Sequence, residues 1–202
     1  MPNLANDTAP IILASKSPRR KRMLKQLDID FVCVDSHVDE TAITAVGPED
    51  YVTTLSIAKA EAVSNRHPDR WVIGADSVVS IGDTLLNKPA SREAAKTMLK
   101  ALSGRTHRVL TGYAVLRQTV GHRFVDVVTS EVTFKTLSTD EIDWYTGTRE
   151  PYDKAGGYAI QGLGAFMIRR INGSYTNVVG LPLAELVDHL SACNALRFKT
   201  TP

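Results

Sequence analysis

The chain has no apolar run near the roughly 20 residues that a membrane-spanning helix needs, although 43% of its 202 residues are hydrophobic. We therefore expect a soluble globular protein that does not bind membranes. The polar residues 1–10 have no apolar stretch, so they do not resemble a secretory signal. Because no linker-like composition divides the rest, we assign 1–10 to a flexible tail, 11–192 to one domain and 193–202 to a second tail.

The chain also has little net charge and few cysteines. The chain has 24 basic and 22 acidic residues, a net charge of +2, whereas nucleic-acid binding needs a strongly basic face, so we expect no nucleic-acid partner. Cys33 and Cys193 are too few for a disulfide framework, which favours reduced, packed thiols in a cytoplasmic protein. A Cys33–Cys193 bridge is a minor alternative. The five histidines show no ligand spacing, such as four residues apart on one helix, which argues against zinc.

An apolar strand running into a helix start, at residues 11–20, is the most informative segment. Ile11 to Ala14 predict a short buried strand, Ser17 is a natural N-cap and Pro18 suits the first helical position. Arg19 and Arg20 then place two guanidiniums beside the unpaired N–H groups of a helix running to about residue 27. This arrangement suits phosphate oxygens, so both arginines are candidate substrate-binding residues. The alternative is the solvated face of an amphipathic helix.

A carboxylate follows a second apolar strand. Residues 71–75 predict a strand that ends at Asp76, and the carboxyl ends of strands are where α/β sheets place ligands. Glu40 lies in a polar loop after another strand, and Lys88 follows a predicted hairpin over residues 78–86. One or two carboxylates with phosphate oxygens make the usual Mg²⁺ site. For Asp76 alone, a turn cap or an ion pair with an arginine is the simpler interpretation.

Two further side chains are candidate functional residues. Lys59, on a predicted helix over residues 47–67, is flanked by small residues that a surface lysine does not need, although a helical lysine is more often solvated. Gln161 lies in the glycine-rich segment 152–162, where its amide has both a donor and an acceptor able to read a base edge. A tight turn before a strand is the alternative for that segment.

Strands and helices alternate without a sequence repeat. Further helices are predicted over 91–102 and 138–145 and from about 181, and strands over 31–34, 106–116, 124–134 and 166–171. This alternation predicts a mixed, twisted α/β sheet with flanking helices. No segment matches a P-loop, so a kinase or P-loop enzyme is set aside.

Eight segments, in order, resemble the Maf family of nucleoside triphosphate pyrophosphatases, from about residue 11 to 190. They are Ala14–Arg20, Val38–Glu40, Ala58–Ala60, Ile73–Ser77, Asn87–Pro89, Leu102–His107, Tyr152–Gly162, and Asn172–Tyr175 with Val178–Pro182. The resemblance implies a Maf-like or inosine-triphosphatase-like α/β fold with two lobes around a nucleotide cleft, often as a homodimer. It also implies hydrolysis of a nucleoside triphosphate to the monophosphate and pyrophosphate with a divalent cation, Mg²⁺ or Mn²⁺.

The resemblance assigns roles residue by residue. Asp76 matches the catalytic acidic residue that accepts a proton from water, and Glu40 would help to hold metal or water, so both are candidate catalytic residues and metal ligands. Positions that line the phosphate cleft match Ser15, Arg19, Lys59 and Lys88, and positions tied to substrate choice match Arg19, Ser77 and Gln161. Gln161 resembles the branch that acts on dTTP and UTP.

This sequence departs from the family pattern at three positions. Lys16 replaces a small residue, Ser77 a threonine, and Asn87 a glutamate or glycine; Ser77 keeps the hydroxyl. An alternative function is a non-catalytic nucleotide-binding regulator of cell division or septum formation, acting through residues 19–22. The balanced net charge and the acids at strand ends count against a nucleic-acid role for that segment.

Overall fold

The computed structural model describes residues 3–6 and 9–199, and nine strands lie within them. They are β1 (Asn3–Asn6), β2 (Ile11–Leu13), β3 (Phe31–Cys33), β4 (Val72–Ile81), β5 (Thr84–Leu86), β6 (Thr106–Arg117), β7 (His122–Phe134), β8 (Ile168–Asn172) and β9 (Leu196–Lys199). Seven form one sheet in the order β3-β2-β4-β6-β7-β8, with β5 also paired to β4. β3, β2 and β4 are parallel, whereas every pairing from β4 onward is antiparallel. The predicted mixed α/β sheet is confirmed.

Six α-helices accompany the sheet within the same described ranges. They are α1 (Pro18–Gln26), α2 (Pro48–Ser64), α3 (Arg92–Leu102), α4 (Thr139–Thr146), α5 (Tyr175–Val179) and α6 (Leu183–Ala192). The predicted cap of α1 is confirmed, since the Ser17 side chain accepts a hydrogen bond from the Arg20 N–H and Pro18 is the first helical residue. Ser91 caps α3 as predicted, and Ser138 forms a capping box with Glu141. None of these helices is long and apolar enough to cross a bilayer.

The long strands carry different apolar clusters at their two ends. Near the start of β4, Ile73 and Ala75 pack with Leu24 of α1 and with Leu186 and Leu190 of α6. Toward the end of β4 a second cluster joins Val79 to residues of α3, α4 and β6, among them Leu99, Val109, Ile142 and Tyr145. The two clusters correspond to the two expected lobes, and the cleft described below opens between them.

One strand prediction is wrong in an informative way. The strand predicted over 71–75 does not end at Asp76; β4 continues to Ile81, because β6 pairs with it from Val72 to Ser80. Asp76 faces Gly112 in the middle of that pairing. Its parallel neighbour β2, however, pairs only as far as Ile73. Asp76 therefore lies past the carboxyl end of β2, although not at the end of its own strand.

The terminal segments also differ from the prediction. β1 and β9, assigned from the sequence to the two tails, pair with each other as a separate antiparallel sheet with Asn3 opposite Lys199. Strand pairing satisfies backbone groups that a lone tail leaves to water. Residues 1, 2, 7, 8 and 200–202 of the predicted tails lie outside the described residues. Cys33 and Cys193 are free thiols, and Cys33 is exposed rather than packed.

Candidate active site

A cleft of about 930 Å³ opens where β4 loses its parallel neighbour. β2 pairs with β4 at Ile12 and Leu13, and β5 pairs with it only from Val79 onward. Between these contacts one edge of β4 is uncovered, and Asp76 and Ser77 lie in that interval. The cleft is lined by the end of β2, the start of α1, the loop before Glu40, Lys88 and the segment from Glu150 to Gly162.

Lys59 joins the two predicted catalytic carboxylates. Its Nζ donates to Glu40 Oε1 and to Asp76 Oδ1, each at 2.6 Å. The Lys59 side chain is 10% exposed and that of Asp76 13%, whereas Glu40 is 44% exposed. The simpler sequence interpretation, a solvated helical lysine, is wrong. The buried ammonium of Lys59 instead bonds both acids, Asp76 of β4 and Glu40 from the loop before α2.

Two glycines explain how Lys59 comes so close to the sheet. A Cβ on Gly74 would lie 2.3 Å from Ser56 O and 2.6 Å from Ala60 N, and a Cβ on Gly112 would lie 2.4 Å from Val52 O. The backbone of α2 therefore rests directly on β4 and β6. The small residues around Lys59 permit that approach, and side chains alternate along β4, so Gly74 and Asp76 face α2 together.

The charges in the cleft favour the ionised acid. Burial raises the pKa of Glu40, but the hydrogen bond and charge of Lys59, with the charges of Lys88 and Arg20, outweigh it and place this pKa below its ordinary value. At Tyr51 the effects add up: burial, with the negative charges of Asp76 and Glu40, raises the pKa of the phenol.

The carboxylates also fit a divalent cation. Glu40 Oε2 and Asp76 Oδ2 receive no hydrogen bond from the described residues, while Oε1 and Oδ1 are both held by Lys59. Two carboxylate oxygens at the wall of an open, water-accessible cleft match the donor set that Mg²⁺ prefers, which leaves its other positions to water and phosphate.

Arg20 plays a different part from its neighbour. Only 8% exposed, it donates from Nε to Gly180 O at 2.7 Å, from Nη1 to Ala75 O at 2.8 Å and from Nη2 to Ser77 Oγ at 2.9 Å. Ala75 O lies on the uncovered edge of β4, and a buried carbonyl without a partner costs about 1–3 kcal/mol. Most of the guanidinium is thus engaged in positioning the cleft walls. Ser15 Oγ also accepts from Arg20 Nη1, at 3.4 Å.

Arg19 and the lysines lie nearer the rim. Arg19 Nη1 donates to Asp153 Oδ2 at 3.1 Å, on the far side of the cleft. Lys88 is exposed and lines the same cleft. Lys16, one of the three departures from the family pattern, is 79% exposed and forms an ion pair with Asp35 at the cleft edge. These cations give the rim of the cleft its positive charge.

Gln161 lines the cleft. Its Nε2 donates to the Tyr175 hydroxyl at 3.2 Å. The loop beside it is held by Glu150, whose carboxylate accepts from Leu163 N at 3.0 Å and from Gly164 N at 2.8 Å. Gly162 has a φ of +88°, and a Cβ there would lie 2.1 Å from Glu150 Oε1. The glycine is therefore required at this turn.

Sequence reasoning missed several residues of the site. Asp153 pairs with Arg19, Glu150 organises the loop after Gln161, and Thr111 Oγ1 lies 2.8 Å from Ser77 Oγ. Glu150 lies two positions before the segment 152–162, and Asp153 lies inside it. These two acids beside the glycine-rich segment could have indicated that it contributes to the site. Thr111 lies on an apolar strand, and only its register opposite Ser77 reveals its contact.

Comparison with known proteins gives consistent results. Residues 10–193 match the model of the family described as Maf-like protein. The chain is 50% identical to a dTTP/UTP pyrophosphatase of Syntrophus aciditrophicus, covering 95% of this chain and 93% of that protein. It is 48% identical to a dTTP/UTP pyrophosphatase of Myxococcus xanthus, covering 90% and 91%.

A solved structure, that of the Staphylococcus aureus Ham1 protein, aligns with a TM-score of 0.44 and 18% identity over 62% of this chain and 71% of that one. The family match spans every residue of the cleft named above. The chain belongs to the Maf-like protein family.

Proposed function

We propose that this protein hydrolyses dTTP and UTP to the nucleoside monophosphate and pyrophosphate. The observation that carries the proposal is the pair of carboxylates, Asp76 and Glu40, held on one buried lysine at the wall of a cleft whose rim is basic. Relatives about half identical over nearly the whole chain are dTTP/UTP pyrophosphatases, which supports the same reaction here.

The two ends of the substrate have different sites in the cleft. Arg19, Lys88 and the start of α1 supply positive charge for the triphosphate, since guanidinium and ammonium groups and helix N-termini all favour phosphate oxygens. Gln161, across the cleft, offers an amide to the base. Arg20 acts on the substrate indirectly, by fixing Ser77 and the backbone at Ala75 and Gly180.

Asp76 is the proton acceptor in this proposal. Lys59 holds Oδ1, which leaves Oδ2 to accept a proton from a water molecule in the cleft. The water oxygen attacks the α-phosphorus, the bond from that phosphorus to the bridging oxygen breaks, and pyrophosphate leaves. Lys59 and the basic rim stabilise the negative charge that develops on the phosphate oxygens.

Glu40, through Oε2, would hold a divalent cation, Mg²⁺ or Mn²⁺, and Asp76 would be its second ligand only if another group took the proton from water. When bound, such a cation would offset charge on the phosphate oxygens and favour departure of pyrophosphate. A homodimer remains a prediction from the family resemblance, and a cytoplasmic location a prediction from the two cysteines. Light scattering of the purified protein would check the oligomeric state.

The reaction is tested by its products. Purified protein is incubated with each of the common triphosphates and Mg²⁺ or Mn²⁺, and pyrophosphate and orthophosphate are measured separately. We expect pyrophosphate and monophosphate from dTTP and UTP, and no turnover in EDTA. Orthophosphate as the first product would overturn the proposal, and nucleotide binding without any hydrolysis would favour the regulator of cell division instead.

The roles of the two acids are tested by Asp76→Asn and Glu40→Gln, assayed across a range of Mg²⁺ concentrations. We expect Asp76→Asn to lower kcat about 10²-fold or more even at saturating Mg²⁺, the scale for loss of a general base. Glu40→Gln should chiefly raise the Mg²⁺ concentration needed for half-maximal rate. Asp83→Asn, in the exposed β4–β5 turn, is the matched control. An Asp76→Asn enzyme that recovers its full rate at high Mg²⁺ would make Asp76 a metal ligand only.

A further inference from the structure

A second cluster of metal-ligating side chains lies outside the cleft. His122 begins β7, His189 is in the last turn of α6, and Cys193 follows that helix as its C-cap residue. A ring nitrogen of each histidine and Sγ of Cys193 all lie within 4.8 Å of one another. None of the three residues lines the cleft that holds Asp76.

The sequence contains a partial signal for this cluster, which the spacing of the histidines alone does not show. His189 and Cys193 are four residues apart, which places them on one face of the end of α6. His122 is remote in sequence and is brought in by the β6–β7 hairpin.

Aromatic contacts fix the two imidazoles before any ligand binds. The ring of His189 stacks on Phe124 with centroids 3.6 Å apart and planes at 16°, and the ring of His122 meets Trp71 edge-on at 4.9 Å. Their Nε2 atoms lie 2.9 Å apart, so one nitrogen donates a hydrogen to the lone pair of the other. The two nitrogens therefore already lie close enough to be ligands of one ion once each ring turns to aim its lone pair at that ion.

We propose that His122, His189 and Cys193 bind a zinc ion, with water in the fourth position. Zinc takes imidazole nitrogens at about 2.0–2.1 Å and a thiolate at about 2.3 Å in tetrahedral geometry. The two nitrogens need to move apart by a few tenths of an ångström, and the thiol of Cys193 needs to rotate toward them. The three side chains then occupy three corners of the zinc tetrahedron. A set of two nitrogens and one sulfur suits zinc and excludes Mg²⁺, which prefers oxygen ligands.

The surroundings favour the metal-binding forms of the histidines. The hydrogen bond between the two Nε2 atoms requires a free lone pair on one of them, so at least one ring is in the neutral form that binds metal. On binding, the hydrogen between the two Nε2 atoms shifts to Nδ1 of its own ring, and both Nε2 lone pairs face the ion. The thiol of Cys193 releases its proton to solvent, so one proton is released for each zinc ion bound.

The role of this site is structural. It joins the start of β7 to the end of α6 directly before β9, the strand that pairs with β1. An ion that binds the folded chain and not the unfolded one lowers the unfolding constant about 100-fold when its concentration is 100 times Kd.

The test uses the full chain, stripped of metal and titrated with Co²⁺ in an excess of Mg²⁺, which occupies the cleft carboxylates. Cobalt reports a thiolate ligand by a charge-transfer absorption band and competes directly with Zn²⁺. We expect one equivalent of Co²⁺ with this band, displaced by one equivalent of Zn²⁺. The band should be absent in Cys193→Ser, and Co²⁺ binding at least about 10-fold weaker in His122→Ala and His189→Gln.

Cys33→Ser and His67→Ala are the matched controls and should bind as the original chain does. Circular dichroism of each metal-free variant establishes that it is folded, and His189→Gln supplies a second, conservative change if Cys193→Ser unfolds. A band that survives in Cys193→Ser, a band lost in Cys33→Ser, or the absence of any thiolate band in the original chain would overturn the proposal. None of these readouts depends on the hydrolytic activity.

Discussion

At the scale of single residues, Lys59 best illustrates what the sequence can predict and where it stops. Small residues on either side of it hinted at a special environment, but a helical lysine is ordinarily solvated. Its burial depends on Gly74 and Gly112, which lie 15 and 53 positions further along the chain and bring two strands against the helix backbone. Only the assembled sheet shows which glycines serve that purpose.

Gln161 provides a prediction about substrate choice. Its amide can donate to O4 and accept from N3–H of uracil or thymine, whereas cytosine presents the reverse pattern, and a mispaired buried group costs about 1–3 kcal/mol. Its Nε2 donates to the Tyr175 hydroxyl, which leaves Oε1 and the second hydrogen of Nε2 for the base. We expect dTTP and UTP to be used ahead of CTP, ATP and GTP. Gln161→Ala should lower kcat/KM for dTTP and UTP about 10-fold and change the poor substrates less.

Competition assays with all the triphosphates measure this ranking. Gln118→Ala is the matched control, because Gln118 is exposed, lies outside the cleft and donates from its side chain to Asn65 Oδ1. A purine preference in the original chain would contradict the account, as would a Gln161→Ala enzyme with the same ranking and rates.

At the scale of elements, the contact of α2 with the sheet sets the geometry of the site. An added methyl at Gly74 would meet backbone atoms of Ser56 and Ala60, which cannot move without moving the helix. We expect Gly74→Ala to lower the free energy of unfolding by about 1–3 kcal/mol, the usual cost of overpacking. Because Lys59 lies on the same helix, kcat should also fall.

Urea unfolding and steady-state kinetics of the same preparation measure both effects. Gly147→Ala is the control, since Gly147 has an ordinary φ of −76° and follows α4, away from this contact. Full stability and activity in Gly74→Ala would mean that α2 does not rest on β4 as described.

The elements also differ in how far local patterns determine them. Helix starts were predictable because Ser17, Ser91 and Ser138 cap α1, α3 and α4 through contacts only three residues long. The extent of β4 was not predictable, because the polar pair Asp76-Ser77 interrupts the apolar pattern of the strand. The strand continues past this pair because it is bonded to β6, about 30 residues away. The pairing of β1 with β9, across almost the whole chain, had no local signal at all.

At the scale of the whole molecule, the buried His107 couples stability to pH. Its side chain is 2% exposed, Nε2 lies 2.7 Å from the Tyr158 hydroxyl, and burial lowers its pKa from 6.5 to about 4. Between these two values the unfolded chain binds the proton more readily than the folded one. Stability is therefore lost as pH falls from about 6.5 to about 4, by up to about 3 kcal/mol from this group.

Denaturation of the original chain and of His107→Gln at several pH values checks this. The variant should be less stable at pH 7, and the difference should narrow as pH falls toward 4. His122 and His189, whose pKa values burial also lowers, act in the same window in both proteins and do not affect the difference. Parallel stability curves would contradict a buried, neutral His107.

The cleft is also a property of the whole molecule. Its acids come from β4 and from the loop before α2, its cations chiefly from α1, α2 and the segment after β5, and its amide from the segment before β8. The family motifs predicted Asp76, Glu40 and Lys59 one by one as members of one cleft, but not that Lys59 bonds both acids. The engagement of Arg20 with the cleft walls needed the fold, because Gly180 is 160 positions away.

The central claim is that water attacks the α-phosphorus of a pyrimidine triphosphate in this cleft. The most direct measurement is hydrolysis of dTTP in ¹⁸O-labelled water, followed by mass spectrometry of both products. Attack at the α-phosphorus predicts one ¹⁸O atom in the monophosphate and none in pyrophosphate. Label in the pyrophosphate, or in orthophosphate, would place the attack at another phosphorus and contradict the account.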